Sequence, residues 1–167
     1  VLYNRVSMTP LSRLTDPERI EAITSADHPL LASGFEHLSP GESLFDMHYE
    51  IETGFLREGS MIRIWEEGED RFGPGEPWLN GIWEPHGFRL SQTPCRGMVF
   101  LLRPELLPRI TEGLPGDHNW LEPFFLPPAR RPRLTAADAA GIIALTDGYT
   151  PGLNPLRDTL MLLTLLD

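Results

Sequence analysis

DMHYEIETGFLREG, residues 46–59, sets Asp46, His48, Glu50 and Glu52 at every second position, with Met47, Tyr49 and Ile51 between them. A period of two is the signature of a β-strand, whose successive side chains point to opposite faces. One face of this strand therefore carries three acids and an imidazole. The other carries Phe45, Met47, Tyr49, Ile51 and Phe55. The polar row is either a solvated outer face or the wall of a site.

The surrounding sequence has the same β texture from about residue 34 to 102, in short apolar runs broken by Gly, Pro and acidic turns. SMIRIW (60–65), the tip EEGED and RF (71–72) read as a hairpin, and GPGEP (73–77) forces a turn. WLNGIW (78–83), a break at EPHG, and RGMVFLLR (96–103) continue the series. Short strands at this spacing predict a sandwich or small barrel.

Helical signals lie at the two ends. TDPERIEAITSA (15–26) predicts a short helix with Thr15 as cap, Pro17 in its first turn and Glu18 closing a capping box. After the Pro-rich linker LPPARRPRL (126–134), LTAADAAGIIALTDG (134–148) predicts a helix capped by Thr135 and stopped at Gly148. NPLRDTLMLLTLLD (154–167) predicts another, with Asn154 as cap and Pro155 in the first position. Leu156, Leu160 and Leu163 fall on one stripe, and Met161, Leu162, Leu165 and Leu166 widen the apolar surface around it. A helix apolar on most sides is central to a core or shared with a partner, which makes Leu156, Leu160 and Leu163 the candidate dimer contact. The organisation expected is a barrel over residues 1–133 and a helical pair over 134–167, within one structural domain.

A chain of 167 residues is long enough to bury a core without staples. No stretch approaches the roughly 20 apolar residues that cross a bilayer. The opening VLYNRVSMTPLSR has no apolar segment of the kind a signal peptide needs. Cys95 is the one cysteine, so an internal disulfide is excluded and a cytoplasmic location is expected. The net charge is −10, and all 14 basic residues are Arg. Nucleic-acid binding needs a basic face that displaces counterions from phosphates. The one dense basic run, ARRPR (129–133), is short and broken by proline, so this chain is not expected to hold DNA by itself. No phosphate loop, Ser/His/Asp set or CxxC pair occurs.

Asp46-x-His48-x-x-x-Glu52 followed by Gly59 resembles the first motif of cupin barrels, and GPGEPWLNGIWEPHGF (73–88) looks like the second. The run from Glu52 through the Pro-Gly-Glu turn to Pro85-His86 is similar to the sensor domain of AraC/XylS-type transcriptional regulators. MVFLLRPELL (98–107) resembles their last barrel strand and the step into the helices, and LRDTLMLLTLLD (156–167) resembles their Leu-rich helix. Two departures stand out. Asp46 occupies the place where a cupin enzyme usually has its first histidine, and Gly81-Ile82-Trp83 replaces the usual Pro-x-Gly turn. The resemblance implies a mostly-β, cupin-like double-stranded β-helix (jelly-roll) barrel followed by a helix pair. It further implies a non-enzymatic, effector-binding homodimeric domain whose DNA contacts belong to a C-terminal helix-turn-helix domain absent from these residues.

In such a barrel the Asp46, His48 and Glu52 face points inward. The candidate effector contacts are His48, Glu52 and His86, with Trp65, Trp78 and Trp83 supplying flat apolar walls. No cofactor is expected. The competing reading is a metal-dependent cupin enzyme, of oxygenase or isomerase type, whose divalent metal would be held by His48, Glu52 and His86. A non-catalytic small-molecule-binding cupin is a third. His28, His37 and His118 sit in loop-like contexts. On this reading Glu52→Ala should change ligand affinity more than melting temperature.

Overall fold

Two long bent strands, β4 (Ile51–Trp65) and β7 (His86–Leu102), frame the computed structural model, which describes residues 18–41, 45–114 and 119–167. They run antiparallel from Ile51↔Leu102 to Trp65↔His86, and their register shifts between Leu56 and Met61. Gly59 marks the bend. Its φ is +88°, and a Cβ there would lie 2.4 Å from the Pro94 carbonyl oxygen, so only glycine fits.

Each long strand changes partners across this bend. The first half of β4 pairs with β6 (Trp78–Asn80) and its second half with β5 (Gly68–Phe72). The second half of β7 pairs with β2 (Leu30–His37), while its start meets β3 (Asp46–His48) at Asp46↔His86. β1 (Glu18–Ile20) lies parallel to β3. One seven-stranded sheet is thereby folded into a jelly roll.

Strand parity divides the apolar residues between two cores. Ile51 and Phe55 point out of the barrel, as the alternation predicts. They pack with Phe100 and Leu102 against Leu107, Phe124, Ile142, Leu162 and Leu165. Leu56, Met61, Trp65, Phe72, Trp78, Leu90 and Cys95 form the second core. Phe45 is also buried, but Met47 and Tyr49 are only partly so.

The helices follow the strands: α1 (Leu106–Thr111), α2 (Glu122–Phe125), a 3₁₀ turn at Pro128–Arg130, α3 (Ala136–Leu145) and α4 (Pro155–Leu166). Thr135 and Asp138 form a reciprocal capping box on α3. The Asn154 side chain accepts from the backbone N–H groups of Leu156 and Arg157, starting α4. α4 buries Asp158, Leu162 and Leu165 and leaves Leu156 67% and Leu160 55% exposed, with Leu163 half-buried. No helix among the described residues is long and apolar enough to cross a membrane.

Three local readings are corrected. The helix predicted over 15–26 is not formed: Glu18–Ile20 is strand, and Thr15 and Pro17 lie outside the described residues. The cause is tertiary. Pairing with β3 and a buried carboxylate that binds Ile23 and Thr24 satisfy this backbone better than an isolated turn of helix would. Residues 96–103 are not a separate strand, because β7 runs through Pro94 without a break. The Pro-rich segment is no open linker either. Arg131 within it is buried and donates to the carbonyls of Leu126, at 3.0 Å, and Leu79.

Candidate functional site

Four strands bring a polar centre together at one end of the barrel. β3 carries Asp46 and His48, β4 carries Glu52 and Arg63, β6 carries Trp78 and Asn80, and β7 opens on His86. Asp46 faces His86 in register, and Glu52 faces Asn80. His86 Nε2 lies 3.5 Å from an Asp46 oxygen and 3.4 Å from Glu52 Oε2. His48 Nε2 lies 3.6 Å from the same Glu52 oxygen. The two imidazoles meet edge-on, with centroids 5.0 Å apart. His48, Glu52 and His86 are buried, whereas the Asp46 side chain is 24% exposed and gives the centre its contact with solvent.

The tautomers follow from the neighbours. His48 Nδ1 sits 3.0 Å from the Glu50 carbonyl oxygen, and His86 Nδ1 sits 2.7 Å from the Glu84 carbonyl oxygen. A carbonyl only accepts, so each Nδ1 is the donor. When the ring is neutral, its Nε2 lone pair therefore points into the centre. Backbone-fixed imidazoles of this kind are the usual state of histidines that ligate a metal.

Glu52 divides its two oxygens. Oε1 accepts from Arg63 at 2.8 Å, Trp78 Nε1 at 2.7 Å and Asn80 Nδ2 at 2.8 Å, and Oε2 is left to the histidines. Trp65 Nε1 donates in turn to Asn80 Oδ1 at 2.9 Å, which orients that amide. Gly54 makes room for the arrangement, since a Cβ there would lie 2.4 Å from the Trp78 ring. Trp65 and Trp78 thus do more than offer flat walls. They hold Glu52.

The electrostatics are those of a cation site. Burial disfavours a charged Glu52, but Arg63 and the two histidines outweigh it and hold the carboxyl well below its ordinary range. Burial also disfavours charge on His48. The nearby Glu52 carboxylate, with Asp46 and Glu50 behind it, nonetheless raises its pKa. Burial raises Asp46, against the pull of His86. With both rings neutral, their Nε2 atoms, Glu52 Oε2 and the Asp46 carboxylate offer acceptors to the centre, beside the buried Arg63 guanidinium. The complement of these acceptors is a proton, a metal ion or a ligand rich in donors.

Ligand atoms of Asp46, His48 and His86 lie within 4.8 Å of one another. Two imidazole nitrogens and a carboxylate fit a divalent first-row metal, with Glu52 Oε2 beside both nitrogens. The metal set expected from the sequence is His48, Glu52 and His86; the structure brings Asp46 into that group. Bound there, a metal would supply Lewis acidity or lower the pKa of a bound water.

Trp83 is placed away from this cluster. It adopts a left-handed φ of 54°, its backbone N–H donates to the His48 carbonyl at 2.8 Å, and its ring packs against Tyr49 and Arg19. Glu50 also leaves the row: the strand breaks at Tyr49–Glu50, and Oε1 turns to Ile23 and Thr24. His37 stacks near Phe35 and Phe88, and His118 lies outside the described residues. Asn80 was missed by sequence reasoning, although period two puts it on the face of Trp78.

No protein-family model matches the chain, and no curated protein matches it. Among solved structures, it is similar to an apo variant of ToxT from Vibrio cholerae, with a TM-score of 0.53 and 12% identity over 88% of this chain and 54% of that one. The fold is that of a cupin. Partial likeness extends to the cupin domain of Schizosaccharomyces pombe Cnp3, with a TM-score of 0.45 and 9% identity over 57% of this chain and 72% of that one. It also extends to a mutant of Bacillus subtilis oxalate decarboxylase OxdC, with a TM-score of 0.41 and 18% identity over 45% of this chain and 21% of that one. The chain spans about half the length of ToxT and about a fifth of the decarboxylase.

Proposed function

We propose that this chain is the effector-sensing and dimerisation domain of an AraC/XylS-type transcriptional regulator. The observation that carries the reading is a direct tie between the site-bearing strand and the helix pair. Arg57, on β4 five residues beyond Glu52, donates to the carbonyls of Thr146 and, at 3.0 Å, Tyr149, where α3 ends. Tyr149 Oη donates to Asp158 of α4 at 2.6 Å. A ligand that shifts β4 therefore acts on the helix whose Leu156 and Leu160 face solvent. The likeness to ToxT, which covers 88% of this chain, supports the same reading. The effector would be small and rich in hydrogen-bond donors, to suit the acceptors of the centre. DNA contact would belong to a helix-turn-helix domain of the whole regulator, because a net charge of −10 disfavours binding to a polyanion.

A metal-dependent cupin enzyme is the second reading, favoured by the two imidazoles with backbone-fixed Nδ1. Sedimentation, metal analysis and a thermal-shift screen of small metabolites separate the two. The sensor reading expects a dimer that a donor-rich metabolite stabilises and returns unchanged. A monomer that consumes the metabolite only when loaded with metal would establish the enzyme instead.

A further inference from the structure

Outside the barrel end, between the β4–β5 turn, the β6–β7 loop and residues 124–131, lies a groove of about 330 Å³. That volume is in the range of sites that bury most of a small organic ligand. Trp65, Ile82, Phe125 and Leu126 form its apolar walls. Phe125 is 62% exposed, so its ring is open to a ligand in the groove.

The charges of the groove are one-sided. Arg131 is buried and already hydrogen-bonded through all three nitrogens, donating to the Leu126 and Leu79 carbonyls and to Glu84 Oε1. Glu84 is engaged as well, since its other oxygen accepts from the Gly81 N–H at 2.7 Å. Glu66 and Glu67 remain on the rim at the hairpin tip, both exposed and without a partner among the described residues. An anionic ligand would meet two exposed carboxylates and one buried guanidinium already paired with Glu84, whereas a cation with an apolar body would satisfy walls and rim together.

We propose that this groove binds a small organic cation of the arylalkylammonium class, its ring against Phe125 and Trp65 and its ammonium at Glu66 and Glu67. The site is separate from the Asp46, His48, Glu52 and His86 centre and does not rest on the sensor reading. Trp65 is the wall the two share, and its indole N–H reaches Glu52 through Asn80. A ligand in the groove therefore presses on the hydrogen-bond chain that orients Glu52.

The test titrates the whole chain with 2-phenylethylammonium, and in parallel with neutral 2-phenylethanol and anionic 3-phenylpropanoate. Calorimetry and tryptophan fluorescence report binding. The cation should bind roughly tenfold more tightly than the alcohol, because a charge-assisted hydrogen bond is about twice as strong as a neutral one. The anion should not bind, and high salt should erase the cation's advantage. The double variant Glu66→Gln, Glu67→Gln should bind cation and alcohol alike, whereas Phe125→Ala should weaken both. All three side chains are exposed, so these variants should fold as the parent does. Equal affinity for cation and alcohol in the parent, an undiminished preference in the double variant, or no binding of the cation would each overturn the assignment. Preferential binding of the anion would do the same. In those cases the acidic tip is an ordinary solvated turn.

Discussion

Glu52 and Arg63 form a buried ion pair at 2.8 Å although they are eleven residues apart on the same strand. In a straight strand their backbones would lie roughly 36 Å apart at about 3.3 Å per residue. The bend at Gly59 brings the two halves of β4 around the barrel, so one strand supplies both the carboxylate and its counter-charge.

Glu52 is consequently a structural residue as well as a candidate contact. Glu52→Ala would leave Arg63, Trp78 and Asn80 without their acceptor, and breaking a buried charge pair costs about 3–5 kcal/mol. This geometry predicts a large loss of stability, which chemical denaturation of Glu52→Ala should show. A variant that melts with the parent would mean that Oε1 is not holding these donors.

The centre sets a pH dependence in metal-free protein. His48 is raised above its ordinary 6.5. Its stabilising contribution is therefore fully present below pH 6.5 and is lost as pH rises through the raised value. Asp46, raised above 3.8, acts in the same direction. Glu52, held well below 4.5, contributes stability above pH 4.5 that is lost as pH falls through its depressed value. Urea midpoints should decline on the alkaline side of 6.5, and His48→Gln should flatten that decline. The same slope in both proteins would assign the titration to another group.

Arg57 should hold the helix pair to the barrel. Hydrogen bonds from a charged donor contribute about 1.5–3 kcal/mol, and Arg57→Met removes those to Thr146 and Tyr149. Amide exchange should speed up in α3 and α4 while the β4–β7 ladder stays protected. Unchanged protection in both helices would show that apolar packing alone docks them.

Leu160→Arg should convert a dimer into a monomer without loss of fold, because Leu160 is 55% exposed and α4 packs inward through Leu162 and Leu165. Sedimentation velocity against concentration checks this. A parent chain that stays monomeric at high concentration removes the role assigned to Leu156, Leu160 and Leu163.

Resemblance to cupin barrels implied the jelly-roll class and the inward face of β4. Local pattern alone determined the shared polar row of Asp46, His48, Glu50 and Glu52, the hairpin at residues 60–72 and the caps at Thr135 and Asn154. These rest on period two, turn chemistry and side-chain capping, all of which act within a few residues of chain. Only the tertiary structure decided the rest. The segment after Glu18 became strand and loop because β3 and the Glu50 carboxylate, 26 residues from Thr24, satisfied its backbone. Trp78 became a donor to Glu52 rather than a bare wall because Gly54 lets the indole close over the strand. Asp46 joined His86 because β3 meets β7 at that register point, and Leu160 rather than Leu162 faced solvent because the barrel lay on the other side of α4. Each of these outcomes was set by a partner distant in sequence, and a periodicity shows which residues share a face without showing what that face will meet.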